Sequence, residues 1–173
     1  MSEIIREYRL TDAKAVADIY NEYISARLAT LDTELKTETE IRHWMNSFND
    51  RETIIVLERE TEIIGWGIIK KYSDRPGYYT TCETSVYLTS NETGKGYGPR
   101  MKKELLKRCT DLGYHHLVAK IWATNTTSIE YNRKLGYEIV GTQRQVGVSE
   151  GKWIDVVIMQ KILETEIPNH LTI

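Results

Sequence analysis

The chain has 173 residues, a length that fits one domain with a real hydrophobic core. Hydrophobic residues make up 40% and the formal net charge is -2, so no basic character favours binding to nucleic acid or to an anionic membrane. No apolar run reaches the length of a membrane span, and the N-terminus lacks the apolar core of a signal peptide. We therefore expect a cytoplasmic protein.

The two cysteines, Cys82 and Cys109, show no close CxxC spacing, which predicts two buried thiols and neither a disulfide nor a zinc site. The four histidines show no metal-ligand spacing either. The sequence therefore predicts no metal.

The first third of the chain predicts one strand and two helices. Residues 3–8 alternate in the manner of a strand, and Thr11-Asp12 offers an N-cap for a helix that runs to about Ile24. Residues 25–36 have no clear period and read as a loop. Residues 37–40 open a second helix.

Three strands then follow, because β-branched and aromatic residues alternate with turn signals. They are predicted at residues 53–58, 62–70 and 78–88, with a tight turn at 60–61 and a strong turn signal at 74–77.

The second half predicts a glycine-rich turn, two helices and three strands. These are the turn at 89–98, a helix that ends at Leu112-Gly113, a strand at 117–122, a helix at 125–134, and strands at 137–146 and 153–161. We expect one mixed α/β, or α+β, domain over residues 1–163. A loosely attached C-terminal tail is expected at 164–173.

The strongest local signal is Thr93-Gly94-Lys95-Gly96-Tyr97-Gly98, which lies between a strand and an amphipathic helix. Free backbone N–H groups and the positive end of the helix dipole meet there, and Lys95 and Arg100 add positive charge, so a phosphate ligand fits. The sequence contains no G-x-x-x-x-G-K-[ST] pattern, which excludes a P-loop. Pro99 occupies the position of the third glycine that a dinucleotide-binding G-x-G-x-x-G motif requires. A glycine-rich turn without a ligand stays the alternative at this point.

This turn resembles the loop Gln/Arg-x-x-Gly-x-Gly/Ala of the GNAT superfamily of N-acetyltransferases, with Gly96-Tyr97-Gly98 in the glycine positions and Thr93 where Gln or Arg is usual. Further stretches are similar to the phosphinothricin and methionine sulfoximine acetyltransferase branch of that superfamily. They are Glu83–Leu88, Asn125–Ile129, Lys134–Tyr137 and Gly151–Val156.

The resemblance implies the acyl-CoA N-acyltransferase fold, a central twisted mixed sheet of about seven strands flanked by about four helices. It also implies acetyl-CoA as co-substrate, a homodimer, and a separation of the strand that ends near Leu88 from the one that starts near Leu117. The pantetheine arm would lie in that gap. The residues expected to bind the co-substrate are Val86, Tyr87, Leu88, Gly94, Lys95, Gly96, Tyr97, Gly98, Pro99, Arg100, Asn125 and Ser128.

Acetyl transfer from a thioester to an amine needs a base, stabilisation of an oxyanion and, at best, a proton for the leaving thiolate. Glu83 is the candidate base, and a backbone N–H of the Val86–Leu88 strand is the candidate oxyanion donor. Relatives often place Tyr or His at the position of Asn132 to donate the proton. The acid therefore stays open here, with Tyr131 or water as candidates.

The expected acceptor is the amine of a small amino acid analogue such as phosphinothricin, methionine sulfoximine or methionine sulfone. Arg75, Tyr78, Ser85 and Glu83 are the candidate substrate-binding residues, and Arg75 suits a two-pronged contact with a carboxylate or phosphinate. Acetylation of a protein N-terminus or of another amine metabolite stays an alternative. So does a CoA-binding sensor without turnover.

Overall fold

The computed structural model describes residues 3–172, over which the chain forms seven strands and four α-helices. Their order confirms the predicted fold class and the predicted order of elements. Their bounds are β1 Glu3–Glu7, α1 Ala13–Ala26, α2 Glu38–Asn46, β2 Thr53–Arg59, β3 Glu62–Lys71, β4 Thr81–Leu88, α3 Tyr97–Asp111, β5 His116–Trp122, α4 Thr126–Lys134, β6 Glu138–Ser149 and β7 Lys152–Ile162.

All seven described strands join one sheet in the order β1-β2-β3-β4-β5-β7-β6. Among these strands, β4 and β5 form the one parallel pair, and the other neighbours are antiparallel. A parallel neighbour requires a crossover, and α3 supplies it. The parallel pair therefore lies at the centre of the sheet, and the glycine-rich turn follows its first strand, β4, along the chain.

Two hydrophobic cores form because the sheet is covered on both faces. Along β2, Ile55 and Leu57 pack into the core beneath α3 and α4, while Ile54 and Val56 pack into the core beneath α1 and α2. Alternate side chains of a strand point to opposite faces, so a strand covered on both sides is a continuous apolar run. This accounts for the TIIVL sequence, in which every residue is buried.

Asp12 takes a different role from the predicted one. It is the N-cap residue of α1, but its side chain makes no capping hydrogen bond. Its carboxylate instead accepts hydrogen bonds from the Arg6 guanidinium at 2.8 and 3.1 Å and from the Arg9 N–H at 2.6 Å. The two hydrogen bonds from the Arg6 guanidinium thus take the place of the capping hydrogen bond that the sequence predicted for this buried carboxylate.

The strand predicted at residues 78–88 begins only at Thr81. Pro76–Tyr78 forms a single 3-10 turn, in which the N–H groups of Tyr78 and Tyr79 donate to the carbonyls of Arg75 and Pro76. Tyr79 therefore leaves the strand face that the alternation gave it, and the Arg51 guanidinium lies over its ring at 3.9 Å. The aromatic residues suggested a strand, but the proline turn decides the local backbone.

The tail predicted at 164–173 contacts the domain surface. The Thr165 hydroxyl lies 3.1 Å from His115 Nδ1, and the His170 ring packs edge-on against Tyr79 at 4.6 Å. Residue 173 lies outside the described residues. Within residues 3–172, no helix has both the length and the apolar character to cross a membrane.

Gly65 on β3 allows β4 to approach closely. A Cβ at Gly65 would lie 2.5 Å from Leu88 Cδ2 and 3.1 Å from the Tyr87 carbonyl oxygen. Because one of these neighbours is backbone, the strand must move to accept a methyl group. The fit of β3 against β4 therefore depends on the missing side chain.

We expect Gly65→Ala to lower the free energy of unfolding by about 1–3 kcal/mol, the usual effect of overpacking a tight site. Urea unfolding measures it. Gly77→Ala is the matched control, because a Cβ at Gly77 would meet nothing within 4 Å. Equal unfolding midpoints for the two variants would contradict the close approach.

Candidate active site

A gap opens in the middle of the sheet because the parallel pair ends early. β4 pairs with β5 only at Thr81–Glu83, opposite His116–Val118, although β4 continues to Leu88 and β5 to Trp122. The two strands therefore separate after Glu83. This confirms the predicted separation and leaves one edge of residues 84–88 without a neighbouring strand.

The edge of β4 that faces the gap carries backbone hydrogen-bonding groups. The Leu88 N–H donates to the Tyr23 hydroxyl at 3.0 Å, and that hydroxyl donates to the Leu88 carbonyl at 2.8 Å. Tyr87 and Thr89 face β3 instead, where the Thr89 N–H donates to Ile64. By the alternation of an antiparallel ladder, the N–H and C=O of Val86 point into the gap beside those of Leu88. Of Val86, Tyr87 and Leu88, only Val86 presents backbone groups that are turned to the gap and that Tyr23 does not hold.

The glycine-rich turn ends at the N-terminus of α3. Gly94 and Gly96 adopt φ values of 76° and 85°, in the left-handed region that favours glycine, and the N-cap residue Gly96 makes no side-chain capping bond. The amides at the start of α3 thus receive no side-chain cap from the chain itself, and Pro99 carries no N–H. Such a helix start suits a phosphate group.

The two cations of this turn are paired within the chain. Lys95 Nζ lies 3.1 Å from the Glu92 carboxylate, and the Arg100 guanidinium lies 2.6 Å from that of Glu3. Both cations are more than two-fifths exposed, so their ion pairs are weak. Backbone amides are therefore the fixed donors of this site, and the side chains of Lys95 and Arg100 are movable ones.

Helix α4 lines the gap from the other side. The Asn125 side chain caps this helix by accepting the Ser128 N–H at 3.1 Å, and both residues line the gap. Asn132 is 1% exposed and donates to the Ser128 carbonyl, while its Oδ1 has no partner among the described residues. Tyr131 also lines the gap, and burial raises the pKa of its hydroxyl.

Glu83 faces a cavity of about 760 Å³ on the α1 side of the sheet. Ser85 and Tyr87 follow it along the same face, as the alternation predicted, and Tyr78 lines the cavity from the 3-10 turn. The Glu83 carboxylate is mostly buried, and a neutral amine that enters the cavity can reach it. The geometry therefore suits a base.

Two lysines that the sequence analysis did not select flank this carboxylate. Lys70 lies directly opposite Glu83 on β3, with Nζ 3.4 Å from Oε1, and Lys120 on β5 has Nζ 2.9 Å from Oε2. Only the strand register brings them together, so sequence spacing gave no signal. Their positive charges suit a negatively charged group in this cavity.

Arg75 does not line the cavity that contains Glu83. It is exposed and lines an adjoining cavity of about 420 Å³, and the two cavities share Tyr78 and Thr81. The cations that the structure places beside Glu83 are the two lysines, Lys70 and Lys120.

Lys102 of α3 is a third lysine near the gap, and it is 2% exposed. Its ammonium donates to Thr84 Oγ1 at 2.6 Å and lies 4.9 Å from the centre of the Tyr137 ring. Burial lowers the pKa of Lys102 from 10.5 to about 8. A sequence signal did exist, since Lys102 shares the apolar face of α3 with Leu105 and Cys109.

Comparisons with known proteins agree with this geometry. A family model described as an acetyltransferase (GNAT) domain matches residues 5–158. An L-methionine sulfoximine/L-methionine sulfone acetyltransferase of Pseudomonas aeruginosa is 29% identical over 169 residues, which cover 95% of this chain and 96% of that protein.

Solved structures are similar over nearly the whole chain. A phosphinothricin acetyltransferase of Sinorhizobium meliloti in complex with acetyl-CoA has a TM-score of 0.89 and 28% identity, over 94% of this chain and 89% of that one. A ribosomal-protein-alanine N-acetyltransferase of Brucella melitensis has a TM-score of 0.89 and 34% identity, over 92% and 99% of the two chains.

Lys102 makes stability depend on pH. Between about pH 8 and pH 10.5 the unfolded chain keeps a proton on this lysine that the folded chain has lost, so stability rises with pH there. Cys82 and Tyr137 act in the opposite direction, because burial raises the pKa of each and the unfolded chain ionises first.

The difference between wild type and Lys102→Met isolates this effect. We expect the variant to be more stable at pH 7, because it buries no charge, and we expect its advantage to shrink as the pH rises toward 10.5. The lowered pKa corresponds to on the order of 3 kcal/mol. Urea unfolding at several pH values measures it, and parallel pH profiles for the two proteins would contradict it.

Proposed function

The chain belongs to the GNAT acetyltransferase family, and we propose that it transfers the acetyl group of acetyl-CoA to the amine of a small amino acid or amino acid analogue of the phosphinothricin, methionine sulfoximine or methionine sulfone type. One observation carries this proposal. A mostly buried carboxylate, Glu83, faces a cavity at the point where β4 parts from β5 and its backbone becomes available to a ligand.

The described residues fit acetyl-CoA as co-substrate. Val86 offers backbone groups that face an unpaired edge, and the start of α3 offers amides without a side-chain cap. The Val86 carbonyl suits an N–H of the amide-rich pantetheine arm, and the amides at the start of α3 suit a pyrophosphate. The co-substrate supplies an activated acetyl group, and the Val86 N–H is the donor that we assign to the developing oxyanion.

Glu83 takes the proton that the attacking amine must lose. Its two ammonium partners each contact one carboxylate oxygen, so at least one of them must move before the amine can reach an oxygen. An acceptor that brings its own carboxylate or phosphinate offers Lys70 or Lys120 a replacement partner. Amino acids and their analogues carry that group next to the amine.

A second acceptor class has one observation in its favour. The Brucella melitensis relative named for ribosomal-protein alanine shares 34% of its residues with this chain. The amine of an N-terminal alanine resembles that of an amino acid, but a peptide bond replaces its carboxylate. The two lysines beside Glu83 favour the free amino acid over the peptide.

The predicted homodimer stays a prediction. Large apolar side chains are exposed along β6 and at the start of β7, which supports a contact with another protein surface. They are Val140, Val146, Val148 and Trp153.

We expect Glu83→Gln to lower kcat about 10²- to 10⁴-fold, the usual contribution of a general base, with little change in the affinity for coenzyme A. Release of the thiol measures kcat, and calorimetry measures the affinity. Glu62→Gln is the matched control, an exposed glutamate at the start of β3. Equal activity of the two variants would show that Glu83 is not the base. If the wild-type protein releases no thiol with any amine, a CoA-binding sensor without turnover would be favoured.

Lys70→Met and Lys120→Met test the acceptor class. We expect each to raise KM for methionine sulfone about 10- to 100-fold, the effect of losing a hydrogen bond to a charged group. KM for the carboxamide of methionine sulfone, which lacks the carboxylate, should change little. Because both substrates depend equally on Glu83, the difference between their KM changes reports only the contact between lysine and carboxylate. Lys103→Met, an exposed lysine on α3, is the control. Faster turnover of an alanine-terminated peptide than of any free amino acid would contradict the acceptor assignment.

A further inference from the structure

Lys102 is a buried cation that forms no ion pair with a carboxylate of residues 3–172. Its ammonium donates to the hydroxyl and the carbonyl of Thr84, at 2.6 and 3.4 Å, and no carboxylate is paired with it among the described residues. A buried charge without a counter-ion costs several kcal/mol. An apolar side chain would fill the same place on α3 without that cost, so packing alone does not account for a lysine here.

The position of this ammonium in the sheet is specific. Glu83 is the last residue of β4 that pairs with β5, and Thr84 is the first that does not. Lys102 therefore sits where the two strands begin to part. The Glu83 side chain projects from one face of β4 into the cavity of about 760 Å³. Lys102 contacts the next residue, Thr84, from the opposite face of the sheet.

The gap also connects Lys102 to the remainder of the site. The same small cavity is lined by Lys102, Val86, Tyr131 and Asn132, and Asn132 Oδ1 has no hydrogen-bond partner among the described residues. A ligand that pairs with Val86 would thus have the lysine beside its course toward Glu83. The reaction generates a thiolate there, and Asn132 has no acidic proton to give it.

We propose that Lys102 is the general acid of the acetyl transfer, donating a proton from Nζ to the sulfur atom of the leaving coenzyme A. This inference rests on the proposed function for the identity of the reaction, but not on the identity of the acceptor. It assigns the role that the sequence left open at Asn132.

The proton balance closes without another reactant. A C–N bond forms between the amine and the acetyl carbon, and the nitrogen gives its extra proton to Glu83. The C–S bond then breaks, its electron pair stays on sulfur, and sulfur takes a proton from Lys102. Glu83 returns its proton to water and Lys102 regains one from water. The net products are the acetylated amine and a free thiol.

Among the titratable groups at this point, Lys102 is the one best suited to donate a proton to the leaving sulfur. Cys82 of β4 and Cys109 of α3 are buried thiols, and burial raises the pKa of Cys82. Burial raises the pKa of Tyr137, which contacts Thr84 with Lys102, and that of Tyr131 on α4, so these groups hold their protons more tightly. The remaining charged neighbours are Glu83, assigned as the base, and Lys120 of β5, its ion-pair partner.

Lys102→Met tests the proposal, with Lys103→Met as the control. Thiol release is measured with acetyl-CoA and the best amine acceptor, and also with hydroxylamine, which needs no acceptor subsite. We expect kcat to fall at least about 100-fold with both amines. The affinity for coenzyme A should stay near that of wild type, and the melting temperature should rise because the buried charge is gone.

The leaving group distinguishes an acid from a packing residue. A selenol is a stronger acid than a thiol, so acetyl-seleno-CoA needs no proton as it leaves. Most of the deficit of Lys102→Met should therefore disappear with the selenoester. An equal deficit with both esters, or a melting temperature lowered together with kcat, would overturn the proposal. The proposal would also be overturned if Tyr131→Phe lowered kcat and Lys102→Met did not, because that result would make Tyr131 the proton donor.

Three further outcomes also decide between the proposals. If Lys102→Met does not fold, wild type alone carries the test: kcat with acetyl-CoA should fall on the alkaline side as Lys102 loses its proton, and kcat with the selenoester should not. A shared alkaline fall would overturn the proposal. If hydroxylamine reacts but no amino acid does, the acceptor assignment fails while Lys102 is still tested. If wild type accelerates neither reaction, both proposals fail.

Discussion

The structure depends on the early end of the parallel pair between β4 and β5. Ladder hydrogen bonds to β5 stop after Glu83 and Val118, so one edge of the backbone from Thr84 to Leu88 lies inside the domain without a strand beside it, while β3 pairs with the other edge. An unsatisfied buried backbone group costs about 1–3 kcal/mol. The chain meets this cost in part, because the Tyr23 hydroxyl holds both groups of Leu88 and Lys102 approaches the Thr84 carbonyl. Val86 between them remains available to a ligand.

The same separation organises the charges. Lys70 and Lys120 reach Glu83 from the strands on either side of β4, and Lys102 reaches β4 from the helix beneath it. Three cations and one carboxylate thus surround the point where β4 leaves β5. A reaction that adds negative charge to an oxygen and then to a sulfur is favoured at such a place, provided that the carboxylate can be released to act as a base. The site is therefore arranged for charge that develops during the reaction and is absent before it.

The sequence predicted the fold and selected some of the residues that line the candidate site, for identifiable reasons. Periodicity located the strands and helices because each buries one face or two, and the glycine-rich turn before α3 stood out because positive φ values need glycine. It misplaced the start of β4, where the turn at Pro76–Tyr78 overrides the strand preference of two tyrosines. Lys70 and Lys120 were missed because strand register alone brings them to Glu83. Lys102 was missed although a lysine on an apolar helix face was visible in the sequence.

A crystal structure of the complex with coenzyme A tests the central claim most directly. We expect the pantetheine arm to lie between β4 and β5 and to pair with the backbone C=O of Val86, with the Val86 N–H left facing the position of the thioester. We expect the pyrophosphate on the amides at the start of α3 and the sulfur between Glu83 and Lys102. Coenzyme A bound elsewhere on the chain, or bound in the gap with its sulfur remote from both side chains, would contradict the account.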